Sequence, residues 1–147
     1  MDWARVSVSG TVVGSINIGL LVLIGVGRGD TLNDARYTVD KVLKLRIFPY
    51  GAGKFDRSVL DVDGDLLVVS QFTLYAETRR GRRPDFGLAA SPQAARGLFD
   101  ETLKLIKASG LRVASGCFQE HMVIELQNNG PVTILIDSSD HTTPTKG

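Results

Sequence analysis

Nucleophilic catalysis needs a hydroxyl or thiol beside a base, most often histidine. This chain of 147 residues offers little of that material: two histidines, His121 and His141, and one cysteine, Cys117. His141 sits in a polar C-terminal stretch, poor ground for a rigid base. His121 reads first as a surface or packing residue, and Cys117, with no evident thiolate-stabilising neighbour, as a small passive one. A serine-histidine-aspartate triad is therefore disfavoured. Asp61, Asp63 and Asp65 straddle a turn, where acidic residues serve solubility and turn formation, so they are set aside as paired carboxylates. Two segments differ from ordinary core. In Ser70-Gln71-Phe72-Thr73-Leu74, polar Ser70, Gln71 and Thr73 arrive where an apolar strand emerges, a natural place for a site. Position alone favours the plainer reading, in which they satisfy backbone bonds at a sheet edge. Asn128-Asn129-Gly130-Pro131-Val132-Thr133 reads on its own as a simple turn with a trans proline bond, since few X-Pro bonds are cis.

The composition bounds the scaffold that must position these groups. At 43% hydrophobic and 22% charged residues, the chain suits one globular domain, able to bury roughly two thirds of its unfolded surface. A single cysteine excludes an intrachain disulfide and paired-cysteine metal motifs, which fits a reducing compartment and a cytosolic address. The apolar run from Ile18 to Val26 holds two glycines and falls well short of the ~20 residues of a membrane span, so it predicts a buried strand and no membrane partner. Met1-Asp2-Trp3-Ala4-Arg5 lacks the start of a secretory signal, and the C-terminus carries no anchor motif. Seventeen basic and sixteen acidic residues give a net charge of +1, too balanced for coating nucleic acid through bulk charge. No DNA partner is expected, and any nucleic-acid contact must be local. Arg79-Arg80-Gly81-Arg82-Arg83 is the one dense basic cluster.

Val6 and Val8, then Val12, Val13 and Ile16, flank the turn dipeptide Ser9-Gly10 and predict a hairpin leading into a strand over Leu20 to Val26. Thr31-Leu32-Asn33-Asp34 resembles a capping box. Leu32, Ala35, Val39, Val42 and Leu43 then line one face of a helix ending near Leu45. Pro49, Gly51 and Gly53 break the pattern. Val59, Leu60 and Val62 lead into a hairpin-type turn at Asp63-Gly64 and a strand over Leu66 to Leu74. Ser91-Pro92 starts a second helix, striped by Ala95, Phe99, Leu103 and Ile106 and stopped at Gly110. Strands over Met122 to Gln127 and Val132 to Ile136 follow, with a polar, disordered tail from Ser138. This order predicts a single α+β domain over 1–137, a largely antiparallel sheet or barrel with two packed helices, and a tail over 138–147.

The segments Ser70-Gln71-Phe72-Thr73-Leu74 and Asn128-Asn129-Gly130-Pro131-Val132-Thr133 resemble the two signature motifs of the D-aminoacyl-tRNA deacylase family. Gly19-Leu20-Leu21-Val22-Leu23-Ile24-Gly25-Val26, Leu45-Arg46-Ile47-Phe48, Ser58-Val59-Leu60-Asp61-Val62 and Gly81-Arg82-Arg83-Pro84 resemble further family segments in the same order, so the likeness spans residues 4 to 137. The resemblance implies a homodimer that hydrolyses D-aminoacyl-tRNA and needs no cofactor or metal. Gly130-Pro131 of one subunit, joined by a cis bond, would reach into the other's pocket and exclude the side chain of an L-amino acid by main chain alone. Asn128 belongs to the same substrate-binding loop. Ser70, Gln71 and Phe72 would line the pocket, with a main-chain N–H near Phe72 as oxyanion donor and the ribose 2′-hydroxyl assisting. Phe72 and Met122 would contact the terminal adenine, and Thr133 matches a family position once considered a nucleophile and is taken as a pocket residue. Arg79, Arg80, Arg82 and Arg83 could hold acceptor-stem phosphates, or could form an exposed loop tied by surface ion pairs.

The chain also departs from the family pattern. Family members begin with an additional strand ending in a Gln-Arg-Val type sequence, whereas Met1-Asp2-Trp3 stands near where that strand would finish. Its loss would expose an edge and remove an arginine that supports the Gly-Pro loop. Gln119 and Glu120, within Phe118-Gln119-Glu120-His121-Met122, replace smaller residues of a Phe-Gly-Ala-containing segment. Two alternatives therefore stay open. One is a non-catalytic RNA-binding dimer of the same fold, its pocket disabled by the missing strand; the other, which a trans Gly130-Pro131 bond would permit, is a deacylase for glycyl-tRNA mischarged on the alanine tRNA, or for a misacylated L-amino acid.

Overall fold

The computed structural model describes residues 1–51 and 53–142. β1 (Trp3–Val8) and β2 (Thr11–Ile16) form the predicted antiparallel hairpin. Its turn places Ser9 and Gly10 at φ of 50° and 81°, the left-handed region that makes the glycine useful there. The other edge of β1 takes β8 (Val123–Gln127), with Trp3 opposite Gln127 and Ser7 opposite Val123. A second sheet, ordered β3-β6-β7, comprises β3 (Gly19–Ile24), β6 (Asp65–Ser70) and β7 (Val113–Ser115), all parallel. The segment interrupted by Pro49, Gly51 and Gly53 forms a small hairpin, β4 (Phe48–Tyr50) with β5 (Lys54–Arg57).

Both helices begin where their caps predict. In α1 (Leu32–Lys44) the Thr31 amide donates to the Asp34 carboxylate at 2.8 Å, and Ala35, Val39 and Val42 are buried, while Leu32 stays exposed. In α2 (Pro92–Lys107) the Ser91 hydroxyl accepts from the Ala94 amide at 3.3 Å and proline occupies the first turn. Its buried face is Ala95, Phe99, Thr102 and Ile106, and the Thr102 hydroxyl donates to the Leu98 carbonyl at 2.7 Å.

These elements stack in three layers with β6 in the middle. Leu66 and Val68 face the helices in a core with Val39, Val42, Phe99 and Ile106. Leu67 and Val69 point the other way, onto Ala4, Val6 and Ile16 of the first sheet. A strand covered on both faces must be apolar without alternation, which is why Leu66 to Val69 reads as a continuous run. Its parallel neighbours are reached through helical crossovers, α1 between β3 and β6 and α2 between β6 and β7.

The structure bears out the single α+β domain with two helices and antiparallel sheets, and shows no closed barrel among the described residues. Four local expectations are corrected. Asp63-Gly64 is not a hairpin turn: Gly64 donates back to the Val59 carbonyl at 3.0 Å, and β6 leaves to run parallel to β3. The strand expected to reach Leu74 stops at Ser70, because β3 ends opposite it at Ile24 and β7 ends opposite Val68. With no ladder left on either side, Phe72–Tyr75 close on themselves as a 3-10 helix. No strand forms over Val132 to Ile136, which has no neighbouring strand to pair with among the described residues. The tail expected to be disordered from Ser138 begins as a 3-10 helix, Ser138–Thr142, beside α1; residues 143–147 lie outside the described residues.

Candidate functional site

Gln71 makes the last rung of the central ladder, its amide donating to the Ile24 carbonyl at 2.8 Å. Its own carbonyl then accepts from Leu74 at 3.3 Å, and the Gln71 side-chain amide donates to the Thr73 hydroxyl. The Phe72 amide, which opens the turn, has no acceptor among the described residues. The turn lies tight against the segment after β3. A Cβ added at Gly25 would stand 3.1 to 3.2 Å from Tyr75, Leu74 and the Gln71 carbonyl, and one at Gly27 would meet the Tyr75 hydroxyl at 2.7 Å. Glycines there let the 3-10 helix press onto the backbone, which aims Phe72 outward. Phe72 is 56% exposed, and its ring rests edge-on against Phe86, with centroids 5.0 Å apart and planes at 68°.

The second motif is a loop closed by one side chain. Asn128 donates through Nδ2 to the Thr133 hydroxyl at 3.2 Å and accepts the Val132 amide on Oδ1 at 3.1 Å, bridging both ends of the Gly130-Pro131 turn. Thr133 is thus engaged as an acceptor. Asn129 ties the loop to the N-terminus, donating to both carboxylate oxygens of Asp2 at 3.1 and 3.2 Å. The Gly130-Pro131 bond is cis, as the resemblance implies, and Gly130 has φ 148°. Beyond the loop, Leu135 is 85% exposed.

Within one chain the two motifs lie apart. Gln127 accepts from the Asp2 amide, Met1 bonds to Gly19, and Gly19 pairs with Asp65, so the second motif is anchored at the start of β3 and β6. Ser70 is at the far end of β6, five residues and ~16 Å along the strand. Met122 packs against the core beneath the first sheet, beside Leu67 and Val69, its sulfur 2.7 Å from where a Cβ on Gly116 would stand. Gln119, nearby, adopts φ 63°, a conformation glycine takes more readily.

The arginine cluster sits on a loop that is pinched at its base. Glu77 and Asp85 exchange backbone hydrogen bonds of 2.7 and 2.9 Å, and Phe86 follows directly, so this loop springs from beside Phe72. The Arg79 amide and guanidinium both reach the Glu77 carboxylate, at 3.0 and 3.5 Å. Arg80, Arg82 and Arg83 are exposed and make no ion pair among the described residues.

Sequence reasoning did not find Phe86, although an aromatic directly after a Gly-, Arg- and Pro-rich loop was a usable signal, nor the groups behind the 3-10 turn. There a cleft of about 240 Å³ is lined by Arg28, Asp30, Asp34, Tyr75, Asp137 and Ser139, among others. A larger cleft of about 520 Å³ at the opposite end of the sheet is lined by Asp63, Asp65, Gly110, Leu111 and Arg112. Neither holds a residue of the two motifs. In the smaller cleft, burial raises the Asp30 carboxyl above the ordinary carboxylate value, partly offset by the Gly27 amide that donates to it at 2.7 Å. Burial, with Asp30, Asp137 and Asp34 nearby, likewise raises the Tyr75 phenol. Because the folded state favours protonated Asp30, its contribution to stability falls as pH rises from the ordinary carboxylate value through the raised one. Asp30→Asn keeps an oxygen for the Gly27 amide. Its Tm, relative to the parent chain, is expected to increase between about pH 4 and pH 7; a difference independent of pH would refute the assignment.

Comparison with known proteins places this geometry. The family model described as D-Tyr-tRNA(Tyr) deacylase matches residues 1–137. A Desulfitobacterium hafniense protein named D-aminoacyl-tRNA deacylase is 53% identical over 135 residues, covering 92% of this chain and 91% of the relative. A Clostridioides difficile protein of the same name is 50% identical over 136 residues, with 92% and 91% covered. Among solved structures, one titled c-Myc DNA Unwinding Element Binding Protein superposes with a TM-score of 0.85 at 36% identity, covering 90% of this chain and 91% of that one. The structure of a probable eukaryotic D-amino acid tRNA deacylase shares the fold, with a TM-score of 0.74 at 18% identity over 86% and 89% of the two chains. The chain belongs to the D-Tyr-tRNA(Tyr) deacylase family and is a hydrolase acting on ester bonds.

Proposed function

We propose that this chain hydrolyses D-aminoacyl-tRNA to free D-amino acid and tRNA in the cytoplasm, at sites each shared between two copies of the chain. The observation that carries this reading is the separation of the two motifs to opposite ends of the central sheet, both exposed. A site that uses both is completed by a second subunit, whose Gly130-Pro131 loop meets the Ser70-Gln71-Phe72 turn of the first. The exposed Ile134 and Leu135 beside that loop supply apolar surface for the contact.

In this site the loop's main chain lies against the substrate's α-carbon and leaves room for a D but not an L side chain, which rejects by steric exclusion without reading any one side chain. Asn128 holds the loop, Thr133 lines it, Phe72 and Met122 bound the terminal adenosine, and Ser70 and Gln71 form the wall beneath. Water adds to the ester carbonyl, and the Phe72 amide stabilises the oxyanion. The carbon–oxygen bond to the ribose then breaks, and the departing ribose oxygen takes up the proton that the attacking water gives up, relayed by the neighbouring 2′-hydroxyl. Positioning and oxyanion stabilisation suffice for an already activated ester, which suits a chain poor in histidine.

The test is hydrolysis of D-tyrosyl-tRNA and L-tyrosyl-tRNA by the 147-residue chain, with its mass in solution measured alongside. Release from the D-ester alone by a dimer is the expected result. Dimers that bind tRNA but release neither amino acid would favour the non-catalytic alternative, and equal release from both esters would remove the chiral role of the loop.

A further inference from the structure

Four exposed arginines within five residues concentrate positive charge on one loop of a chain with net charge +1, whereas four basic residues elsewhere are each paired with an acid. Arg5 pairs with Glu125, Lys44 with Asp40, Arg46 with Asp56 and Lys104 with Glu101. On the loop, Glu77 is committed to Arg79, and Asp85 accepts the Gly87 amide at 2.6 Å, so the two acids at the base are engaged there. The backbone bridge between Glu77 and Asp85 holds the loop's root, and the Phe72–Phe86 pair stands at that root. An acidic peptide would use the charge but not the aromatic faces. Arginines beside an exposed aromatic platform match a single-stranded nucleic acid, whose bases stack and whose phosphates seek cations.

We infer that the Arg79–Arg83 loop grips the backbone of the single-stranded 3′ end of RNA, with phosphates on Arg80, Arg82 and Arg83 and a base against the Phe72–Phe86 pair. Arg79 works indirectly, bracing the loop through Glu77. The inference rests on the deacylase reading for the identity of the RNA, and it assigns the grip to the same subunit that supplies the Ser70-Gln71-Phe72 turn.

The experiment is a salt titration of binding to fluorescently labelled, uncharged tRNA, which involves no ester and no turnover. The parent chain, the triple variant Arg80→Ala/Arg82→Ala/Arg83→Ala, and Arg36→Ala, a single exposed arginine on α1 away from the loop, are compared, with thermal melting to verify folding. Each lost single-strand phosphate contact removes ~0.7 from the slope of log affinity against log salt, so the triple variant should lose about 2 and bind ~10- to 100-fold more weakly near 0.1 M salt. Arg36→Ala should keep the parent slope. A triple variant that melts like the parent and retains its slope and affinity overturns the grip, and parallel hydrolysis of D-tyrosyl-tRNA shows separately whether the deacylase reading stands.

Discussion

Replacing Asn128 by alanine is expected to lower kcat/KM for D-tyrosyl-tRNA by ~100-fold, because a displacement of about 1 Å in a positioning element costs that much. Among the described residues Asn128 alone joins the two ends of the Gly130-Pro131 loop, through Thr133 and the Val132 amide. Without it the loop keeps its tether at Asn129 and Asp2 but loses the bridge that shapes its tip. Stability should change by only about 1 kcal/mol, since the bonds are exposed and water can replace them. Steady-state kinetics on the D-ester, with Tm measured on the same samples, separates the two effects. A variant with parent kinetics would show that the loop is shaped by its partner subunit and not by Asn128. A variant that melts far below the parent would make the activity loss a folding defect.

The second large effect is expected for Gly19→Ala, which should cost about 3 kcal/mol or more, at the upper end of overpacking. The added Cβ would stand 1.8 Å from the Asp65 carbonyl oxygen and 2.6 Å from that residue's carbonyl carbon and nitrogen, all backbone atoms. None of these can step aside. Gly19 is bonded to Met1 at both its amide and its carbonyl, and Asp65 is held by the Ile18 carbonyl and by the Asn17 amide on its carboxylate. The first sheet, β3 and the head of β6 all meet at this crossing. For a chain of this size the loss corresponds to a Tm lower by roughly 6 to 12 °C. Gly116→Ala is the control: its Cβ would meet the Met122 sulfur at 2.7 Å, but a thioether end can swing away, so only a small shift is expected. Thermal denaturation followed by circular dichroism reads both, and equal melting of the two variants would refute the close approach at Gly19.

The parts of this protein legible in its sequence are those whose cause is local or strictly periodic. Thr31 with Asp34, and Ser91 with Pro92, start both helices because a cap acts on amides three residues away. The β1–β2 hairpin follows from Ser9-Gly10 between valines. The unbroken apolar run in β6 announces a strand buried on both faces, and the polar groups after it announce its emergence. The two motifs were visible as residue strings whose family resemblance the comparisons bear out.

What the tertiary structure alone decided depends on which partner is within reach. Leu74 carries the residue type of a strand, yet the strand ends at Ser70 because neither neighbour extends further. Val132 to Ile136 has strand-forming residues and, among the described residues, no strand beside it to bond. The parallel β3-β6-β7 order arises because each helix carries the chain back across the sheet, a long-range outcome no window of sequence contains. The same holds for the site: the pairing of Phe86 with Phe72, and the distance between the Asn128 loop and the Gln71 turn, follow from where folded elements come to rest. Side-chain spacing encodes which surfaces seek burial, whereas backbone hydrogen bonds are satisfied only by neighbours that the whole fold brings near.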